Sequence, residues 1–310
     1  MTITALTPTD PSNLKGLSIL ITGGASGLGK HAATLFAQSG AIVTIADIQD
    51  GSAIATDLTD QGHKAQFVQC DITNWDSQVK AFQAALTFSP TKTIDAVAAF
   101  AGIFRSGHLV DQISAAEVSL DGPAPPPPSL DHIEVNLKGS YYTSALALHY
   151  FRLKPTGDAD VGAISRSKSL TIVSSLAGYL DETHSTAYTS SKFGSRGLFR
   201  AIREKAHTRM NVRVNLIAPW TMKTPMIEAD LLKLAEYGIV EGRGITLVPH
   251  SVLSEALGRI VVDEGIYGRA FAIVPEGAVD LGDDLQGAYG GPALAEILAL
   301  RKAAGDMQQS

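Results

Sequence analysis

The chain has 310 residues, of which 45% are hydrophobic and 18% are charged, so it can bury a sizeable core without disulfides. Its formal net charge of −6 gives no reason to expect a basic surface, and we expect neither nucleic acid nor a membrane as a partner. A single cysteine, Cys70, excludes an internal disulfide and a cysteine metal cluster. These features predict a cytoplasmic protein without a metal site.

The chain begins with a polar stretch, residues 1–13, which predicts a flexible arm. An apolar strand at Leu17–Ile21 then enters a glycine-rich turn, and a helical pattern of apolar residues follows over 28–36. A second apolar strand, Ala41–Ala46, ends at Asp47. The first 50 residues therefore predict a strand-helix-strand unit.

Strands and helices continue to alternate as far as residue 274. The later predicted strands are Ala65–Gln69, Ile94–Phe100, Leu170–Ser174, Val212–Ile217 and Ala270–Val274. The later predicted helices are Gly51–Gln61, Trp75–Leu86, Ile133–Phe151 and Tyr188–His207. Because right-handed crossovers place helices on both faces of a parallel sheet, we predict an α/β fold. It is a single doubly wound, Rossmann-type domain over residues 14–280, with about seven parallel strands.

Two segments stand apart from this alternation. Residues 105–130 contain the proline run Pro123–Pro128, which forbids helix and enforces an extended conformation. We interpret this segment as a surface insertion; a ligand for a proline-binding partner is the alternative. Residues 281–310 are interpreted as a C-terminal extension that can add to a subunit interface.

The glycine-rich turn, Thr22–Gly29, lies where the first strand ends and the first helix begins. Glycines let the backbone turn tightly and let a pyrophosphate approach the free N–H groups at the helix N-terminus. The alternative is a turn without a ligand. The placement between strand and helix favours a dinucleotide site.

Asp47 follows these glycines by roughly 20 residues, the place of an acid that accepts hydrogen bonds from the adenosine ribose. Its charge would repel a 2'-phosphate, which favours NAD over NADP. Lys30 is the nearest cation that could support NADP. A role of Asp47 as a turn cap is the alternative.

Three further motifs complete a resemblance to the short-chain dehydrogenase/reductase family over about residues 14–275. Ser174–Gly178 matches the family's serine motif, and the spacing to the tyrosine selects Ser175. Tyr188–Lys192 matches the Tyr-x-x-x-Lys signature, and Asn136 matches the catalytic asparagine. Thr22–Gly29 matches the Thr-Gly-x-x-x-Gly-x-Gly turn.

The resemblance implies an NAD(P)-dependent oxidoreductase that interconverts a secondary alcohol and a ketone on a hydrophobic small molecule. It implies a homodimer or homotetramer, built through the helices that carry Asn136 and Tyr188. The catalytic residues would be Asn136, Ser175, Tyr188 and Lys192. The cofactor-binding residues would be Gly23, Ser26, Gly27, Leu28, Asp47, Ile48, Asp71, Ile72, Ala101, Gly102, Tyr188, Lys192, Pro219, Thr221 and Met222.

Tyr188 and Lys192 are four residues apart, so they share one face of a helix. A tyrosine of ordinary pKa near 10 is a poor base at neutral pH, but an adjacent ammonium favours the phenolate. Tyr188 would exchange a proton with the substrate oxygen, to which Ser175 would hydrogen-bond. The resemblance further implies that Lys192 holds the ribose and that Asn136 positions a water.

The sequence departs from the family pattern at two positions. Phe100 stands where the family has the asparagine of Asn-Ala-Gly, and Trp220 stands where it has the glycine of Pro-Gly. In this family residues 220–265 form a substrate lid, and their methionines and leucines suit an apolar ring system or acyl chain. We expect His184, Trp220 and Met226 to contact substrate, although the apolar stripe could merely pack on the body.

Two other functions remain open at this point. The departures at Phe100 and Trp220 would suit a cyclase or isomerase that keeps the fold without redox chemistry. A protein that binds the cofactor and senses its pool is the other alternative. Such a protein would be expected to have lost Tyr188 or Lys192, and both are retained.

Overall fold

Short apolar runs separated by helical patterns produce a central sheet. The computed structural model describes residues 11–115, 118–156, 166–181, 185–236 and 240–282. The strands are β1 (Ser18–Thr22), β2 (Ile42–Asp47), β3 (Lys64–Gln69), β4 (Ala96–Ala99), β5 (Lys168–Val173), β6 (Val212–Pro219), β7 (Val240–Glu241), β8 (Gly244–Ile245), β9 (Ala270–Val274) and β10 (Gly277–Asp280). All except β7 and β8, which pair with each other, belong to one sheet.

The order of strands in this eight-stranded sheet is β10-β9-β6-β5-β4-β1-β2-β3. The order reverses between β1 and β4, as in a doubly wound sheet, and β9 to β3 are parallel. The predicted fold and its seven parallel strands are confirmed. The eighth strand, β10, was not predicted; it pairs antiparallel with β9 through a two-residue connection.

Helices cover both faces of the sheet. They are α1 (Gly27–Gln38), α2 (Ser52–Asp60), α3 (Trp75–Phe88), α4 (Leu109–Ser114), α5 (Ser140–Tyr150), α6 (Thr186–Met210), α7 (Glu228–Glu236) and α8 (His250–Val262). A π-helical segment, Ile133–Gly139, leads into α5. No helix within the described ranges has the length and apolarity needed to cross a bilayer.

The core has two halves because successive strand side chains point to opposite faces. Ile19 and Ile21 of β1 pack in one cluster with residues of α1, α2 and α8. Leu20 packs in the other, with residues of α3, α5 and α6. All five residues of β1 are buried, as expected for a central parallel strand.

The segments outside this alternation are described only in part. Pro11–Leu14 form one 3-10 turn, and the rest of the expected arm lies outside the described residues. Residues 118–130 are exposed and outside regular structure, whereas α4 precedes them. The expected C-terminal extension lies outside the described residues beyond residue 282.

Candidate active site

The glycine-rich turn between β1 and α1 needs glycine for steric reasons. Gly23 has a φ of +72°, and a Cβ there would lie 2.5 Å from the backbone of Ala101. A Cβ on Gly29 would lie 2.1 Å from the carbonyl oxygen of Gly23. The turn therefore packs closely against the residues that follow β4. A side chain at either position would collide with these backbone atoms.

The first turn of α1 is available to an anion. Ser26 is the N-cap of α1, yet its side chain makes no capping hydrogen bond. The leading N–H groups of a helix need a partner, and a phosphate group supplies one. This open cradle fits the pyrophosphate of a nicotinamide dinucleotide.

Asp47 lies at the carboxyl end of β2, beside the same turn. Its side chain is buried, and its two oxygens accept hydrogen bonds from the amides of Ala25 and Gln49, each at 2.9 Å. Ile48, next to it, is 61% exposed and borders the same cleft. The carboxylate is thus fixed between β2 and the glycine turn, where a ribose of the dinucleotide would lie.

The end of β3 continues this side of the cleft. Asp71 accepts hydrogen bonds from the amide and hydroxyl of Thr73, both at 2.8 Å. Ile72 is buried and borders the cleft beside it. A fixed acid is suited to accept a hydrogen bond from the edge of an adenine ring, and an apolar side chain is suited to pack against its face.

Tyr188 and Lys192 lie one turn apart near the start of α6. The Lys192 Nζ atom lies 5.4 Å from the centroid of the Tyr188 ring and donates a hydrogen bond to the carbonyl of Val173 at 3.3 Å. The backbone carbonyl of Lys192 accepts a hydrogen bond from Ser174 Oγ at 2.9 Å. These contacts tie α6 to the end of β5. Burial lowers the pKa of Lys192 from 10.5 to about 8.

Ser175 caps the 3-10 turn Leu176–Gly178 that follows β5. Its hydroxyl accepts a hydrogen bond from the amide of Ala177 at 3.2 Å and reaches the carbonyl oxygen of Pro219 at 3.5 Å. It therefore lies between the carboxyl ends of β5 and β6, on the same cleft as Tyr188.

Asn136 lies behind the cleft, in the π-helical segment. Its side-chain oxygen accepts the amide of Ile103 at 2.8 Å, and its Nδ2 donates to the carbonyl of Ile103 at 3.0 Å and to Ser191 Oγ at 3.1 Å. Asn136 thus connects the loop after β4 with α6. π-helical turns inside α-helices are frequent at functional sites.

The two departures from the family pattern both border the cleft. The Phe100 amide donates to the carbonyl of Thr22 at 3.0 Å, and its ring packs at the margin of the core. The Thr22 hydroxyl is buried and has no hydrogen-bond partner among the described residues. Trp220 is 44% exposed, and its backbone amide donates to the carbonyl of Ile273.

The segment after β6 crosses the glycine turn. Thr224 Cβ lies 3.5 Å from the position that a Cβ on Gly27 would occupy. Among the described residues of the expected lid, the stretch from Trp220 to Ile227 borders the cleft, and α8 packs in the core. Met222 is 3% exposed, whereas Met226 is 45% exposed. Within the described residues, the segment directly after β6 is therefore the part of the expected lid that borders the cleft.

A cleft of about 460 Å³ unites these side chains, within the usual range for ligand sites. The predicted site residues that border it are Gly23, Ser26, Gly27, Leu28, Asp47, Ile48, Asp71, Ile72, Ala101, Gly102, Ser175, Tyr188, Lys192, Pro219, Trp220, Thr221, Met222 and Met226. His184 lies outside the described residues. In the part of the chain that the structure describes, no group of three or more His, Cys, Asp or Glu side chains could hold a metal ion.

Several wall residues were not predicted. Ile103, Phe104 and Val135 border the cleft, and His132 contacts the Tyr188 ring and the Arg105 amide. The ring centroids of Phe104 and Tyr188 are 4.9 Å apart, edge to face. The spacing of four residues from His132 to Asn136 is the only sequence signal that could have pointed to this wall.

The chain belongs to the short chain dehydrogenase family. The family model with that description matches residues 18–233, from the start of β1 into α7. The chain is accordingly an NAD(P)-dependent oxidoreductase that interconverts secondary alcohols and ketones and acts on small molecules, as predicted. The open helix terminus and the glycine cradle fit this cofactor.

Particular relatives can be named. A 5'-hydroxyaverantin dehydrogenase of Dothistroma septosporum is 42% identical over 304 residues, which cover 96% of this chain and 97% of that protein. Another, of Emericella nidulans, is 41% identical over 300 residues and 96% of each protein. An NADP-dependent dehydrogenase of Cochliobolus lunatus is 34% identical over 207 residues, 66% of this chain and 71% of that protein.

The solved structures show the same architecture. A short-chain type dehydrogenase/reductase from Mycobacterium marinum superposes with a TM-score of 0.66 at 22% identity. The match covers 86% of this chain and 97% of that one. At this identity the likeness concerns the fold.

Proposed function

We propose that this chain oxidises 5'-hydroxyaverantin, or an alcohol of similar shape and apolarity, to the corresponding ketone with NAD as the acceptor. The observation that carries the proposal is the composition of the cleft beside Ser175 and Tyr188. The Phe104 ring lies against Tyr188, and further aromatic and aliphatic side chains border the same cleft: Phe100, Ile103, Val135, Trp220, Met226 and Ile227. Such walls suit a flat apolar ring system better than a sugar or a charged acid.

The substrate class is also supported by the relatives. Two proteins named 5'-hydroxyaverantin dehydrogenase match 96% of this chain at 42% and 41% identity. The matched length includes the segment after β6, in which Trp220, Met226 and Ile227 border the cleft. A shared substrate class is the simplest reason for similarity over this whole length.

In the proposed mechanism, Tyr188 takes the proton of the substrate hydroxyl. The Lys192 ammonium, one helical turn away, favours the phenolate form of Tyr188 by its positive charge. The Ser175 hydroxyl donates a hydrogen bond to the substrate oxygen and fixes its position. A bound nicotinamide would supply the acceptor for the hydride of the substrate carbon. The proton and the hydride therefore leave the alcohol by separate routes.

Each part of the site would hold a different part of the cofactor. The first turn of α1, with Gly23, Ser26 and Gly27, would bind the pyrophosphate. Asp47 would accept hydrogen bonds from the hydroxyls of the adenosine ribose, and Lys192 would hold the nicotinamide ribose. Thr221 would bind the carboxamide.

The preference for NAD is supported by the charge of Asp47. Its carboxylate is held by two backbone amides, so it cannot swing away from a 2'-phosphate without breaking them. Repulsion in this partly buried place is stronger than in water. The Cochliobolus lunatus relative is named NADP-dependent, so comparing KM for NAD with KM for NADP tests this preference directly.

A homodimer or homotetramer belongs to the same proposal. Tyr141 of α5 and Phe193 of α6 are 57% and 44% exposed, which leaves aromatic surface on the two helices expected at the interface. Light scattering of the purified protein would measure the mass. A monomer at micromolar concentration would contradict this part of the proposal.

The experiment that tests the proposed function is the mass of the product. Purified protein is incubated with 5'-hydroxyaverantin and NAD, and the product is analysed by mass spectrometry. A product lighter by two hydrogen atoms, formed together with NADH, supports oxidation. A product of unchanged mass would instead identify the cyclase or isomerase alternative. Binding of NAD without any product over a panel of alcohols would favour the sensing alternative.

A further inference from the structure

Two side chains from one helical segment hold the loop that follows β4. Asn136 binds both backbone groups of Ile103, at 2.8 and 3.0 Å. His132, four residues earlier, accepts the backbone amide of Arg105 on its Nε2 atom at 3.0 Å. The two anchored residues are the neighbours of Phe104 on either side. We call this arrangement the Phe104 clamp.

The clamp sets the position of Phe104 against the tyrosine. The Phe104 and Tyr188 rings meet edge to face with centroids 4.9 Å apart and planes at 89°. The His132 ring also meets the Tyr188 ring, with centroids 6.0 Å apart and planes at 79°. Edge-to-face contacts are favourable and directional. Two rings therefore restrict the orientation of Tyr188, and Phe104 borders the cleft.

We infer that Phe104 is a specificity-determining residue that selects flat apolar ring substrates beside Tyr188, and that His132 is the positioning residue that holds it there. The inference rests on the proposed function for the class of substrate. Its structural part, the anchoring of the loop by His132, does not depend on which alcohol is oxidised.

The clamp requires neutral His132. An imidazolium has two donors and no acceptor, so a protonated ring cannot accept the Arg105 amide. Burial, together with the charges of Arg105 and of Lys192 on α6, lowers the pKa of His132, and Asp131 opposes these effects. Among the described residues, the titratable Tyr188 of α6 also lies against the His132 ring. The bond is therefore kept at neutral pH.

The first measurement reads the clamp without any substrate. Hydrogen exchange at the Arg105 amide is compared in the wild type, in His132→Leu and in His132→Gln. The leucine keeps the apolar bulk but has no acceptor, whereas the glutamine keeps an acceptor oxygen. We expect exchange to speed up about tenfold in His132→Leu and to return towards the wild-type rate in His132→Gln. A rapidly exchanging Arg105 amide in the wild type would overturn the clamp.

The second measurement reads specificity as the ratio of KM for 2-propanol to KM for a ring alcohol. The ring alcohol is 5'-hydroxyaverantin, or 1-(2-naphthyl)ethanol if the first is not oxidised. We expect His132→Leu and Phe104→Leu to lower this ratio about tenfold with a smaller change in kcat, and His132→Gln to recover it. His63→Leu, in the turn before the edge strand β3, is the control for loss of a histidine.

The two measurements separate the possible failures. Faster exchange in His132→Leu with an unchanged KM ratio would overturn the role of Phe104 in specificity. An equal fall of kcat for both alcohols would show a general structural role, and would also overturn the inference. Turnover of the naphthyl alcohol without turnover of 5'-hydroxyaverantin would contradict the proposed substrate and leave the test of the clamp intact.

Discussion

The Lys192 ammonium lies 5.4 Å from the centroid of the Tyr188 ring, and the Lys192 side chain is buried. The contact Nζ makes with the carbonyl of Val173, at 3.3 Å, is long for a hydrogen bond. A buried cation with so little compensation destabilises the folded chain, whereas its charge serves the proposed chemistry at Tyr188 and the binding of the nicotinamide ribose. Activity and stability should therefore respond to Lys192 in opposite directions.

Replacing Lys192 by methionine should abolish turnover and stabilise the fold at pH 7. The lowering of the Lys192 pKa from 10.5 to about 8 corresponds to a cost of roughly 3 kcal/mol for burying the charge, which the variant no longer has. The variant also loses the hydrogen bond to Val173, which reduces this gain by about 1 kcal/mol. Denaturant unfolding should show a gain of about 2 kcal/mol in the free energy of unfolding.

The sign of this effect depends on pH. Above pH 8 the folded wild type has lost the Lys192 proton while the unfolded chain keeps it until about 10.5, so the wild type gains stability. The advantage of Lys192→Met should shrink over this interval. Lys154→Met, at an exposed lysine, is the control and should change little. A less stable Lys192→Met variant at pH 7 would refute the argument.

Thr22→Val should leave the protein as stable or make it more stable by about 1 kcal/mol. The hydroxyl of Thr22 is buried without a hydrogen-bond partner among the described residues, so its removal ends a desolvation cost. Thr143→Val is the matched control. The Thr143 hydroxyl has two acceptors within hydrogen-bonding distance: Gln78 Oε1 at 2.8 Å and the Gly139 carbonyl oxygen at 3.0 Å. In thermal unfolding, Thr143→Val should have a clearly lower Tm than the wild type, whereas Thr22→Val should not. A Tm lowered more by Thr22→Val than by Thr143→Val would contradict this argument.

Acidification should destabilise the protein through two histidines. Burial and the charge of His250 lower the pKa of His31 below 6.5. The pKa of His132 is also lowered, mainly by burial. The unfolded chain then binds more protons than the folded chain, so stability is present above about pH 6.5 and is lost as pH falls. The free energy of unfolding, measured from pH 7 to 5, should fall less steeply in the double variant His31→Gln, His132→Gln. Parallel curves would show that these groups do not titrate as described.

Asp47→Asn should shift the cofactor preference from NAD towards NADP. The change removes the charge that repels a 2'-phosphate but keeps the size of the side chain, so KM for NADP should fall about tenfold while KM for NAD rises. Asp50→Asn, at an exposed carboxylate three residues further on, is the matched control. A wild-type enzyme that already prefers NADP would contradict the role given to Asp47.

The sheet could be predicted because each strand is a short apolar run followed by a helical pattern. β10 was missed because Gly277–Asp280 is only four residues long and contains glycine. The helix predicted over Ile133–Phe151 begins as a π-helical segment, which a period of 3.6 residues does not reveal. These elements depend on their neighbours in space.

In the site, too, residues that local sequence fixes could be predicted, and residues brought together by the fold could not. The glycine turn, Asp47 and the Tyr188 to Lys192 spacing could be read from the chain because a helix or turn fixes each of them locally. The contacts of Phe104 and His132 with Tyr188 join parts of the chain more than 50 residues apart. No local pattern encodes such a contact.

The most direct test of the account is the formation of NADH by the wild type and by Tyr188→Phe, with Tyr141→Phe as a control at an exposed tyrosine of α5. The substrate is 5'-hydroxyaverantin, and binding of NAD is measured separately for each protein. We predict that Tyr188→Phe binds NAD but loses at least about 100-fold in kcat, the range expected for a general acid or base, while Tyr141→Phe keeps its activity. NADH formation by Tyr188→Phe at the wild-type rate would contradict the central claim that Tyr188 carries the proton.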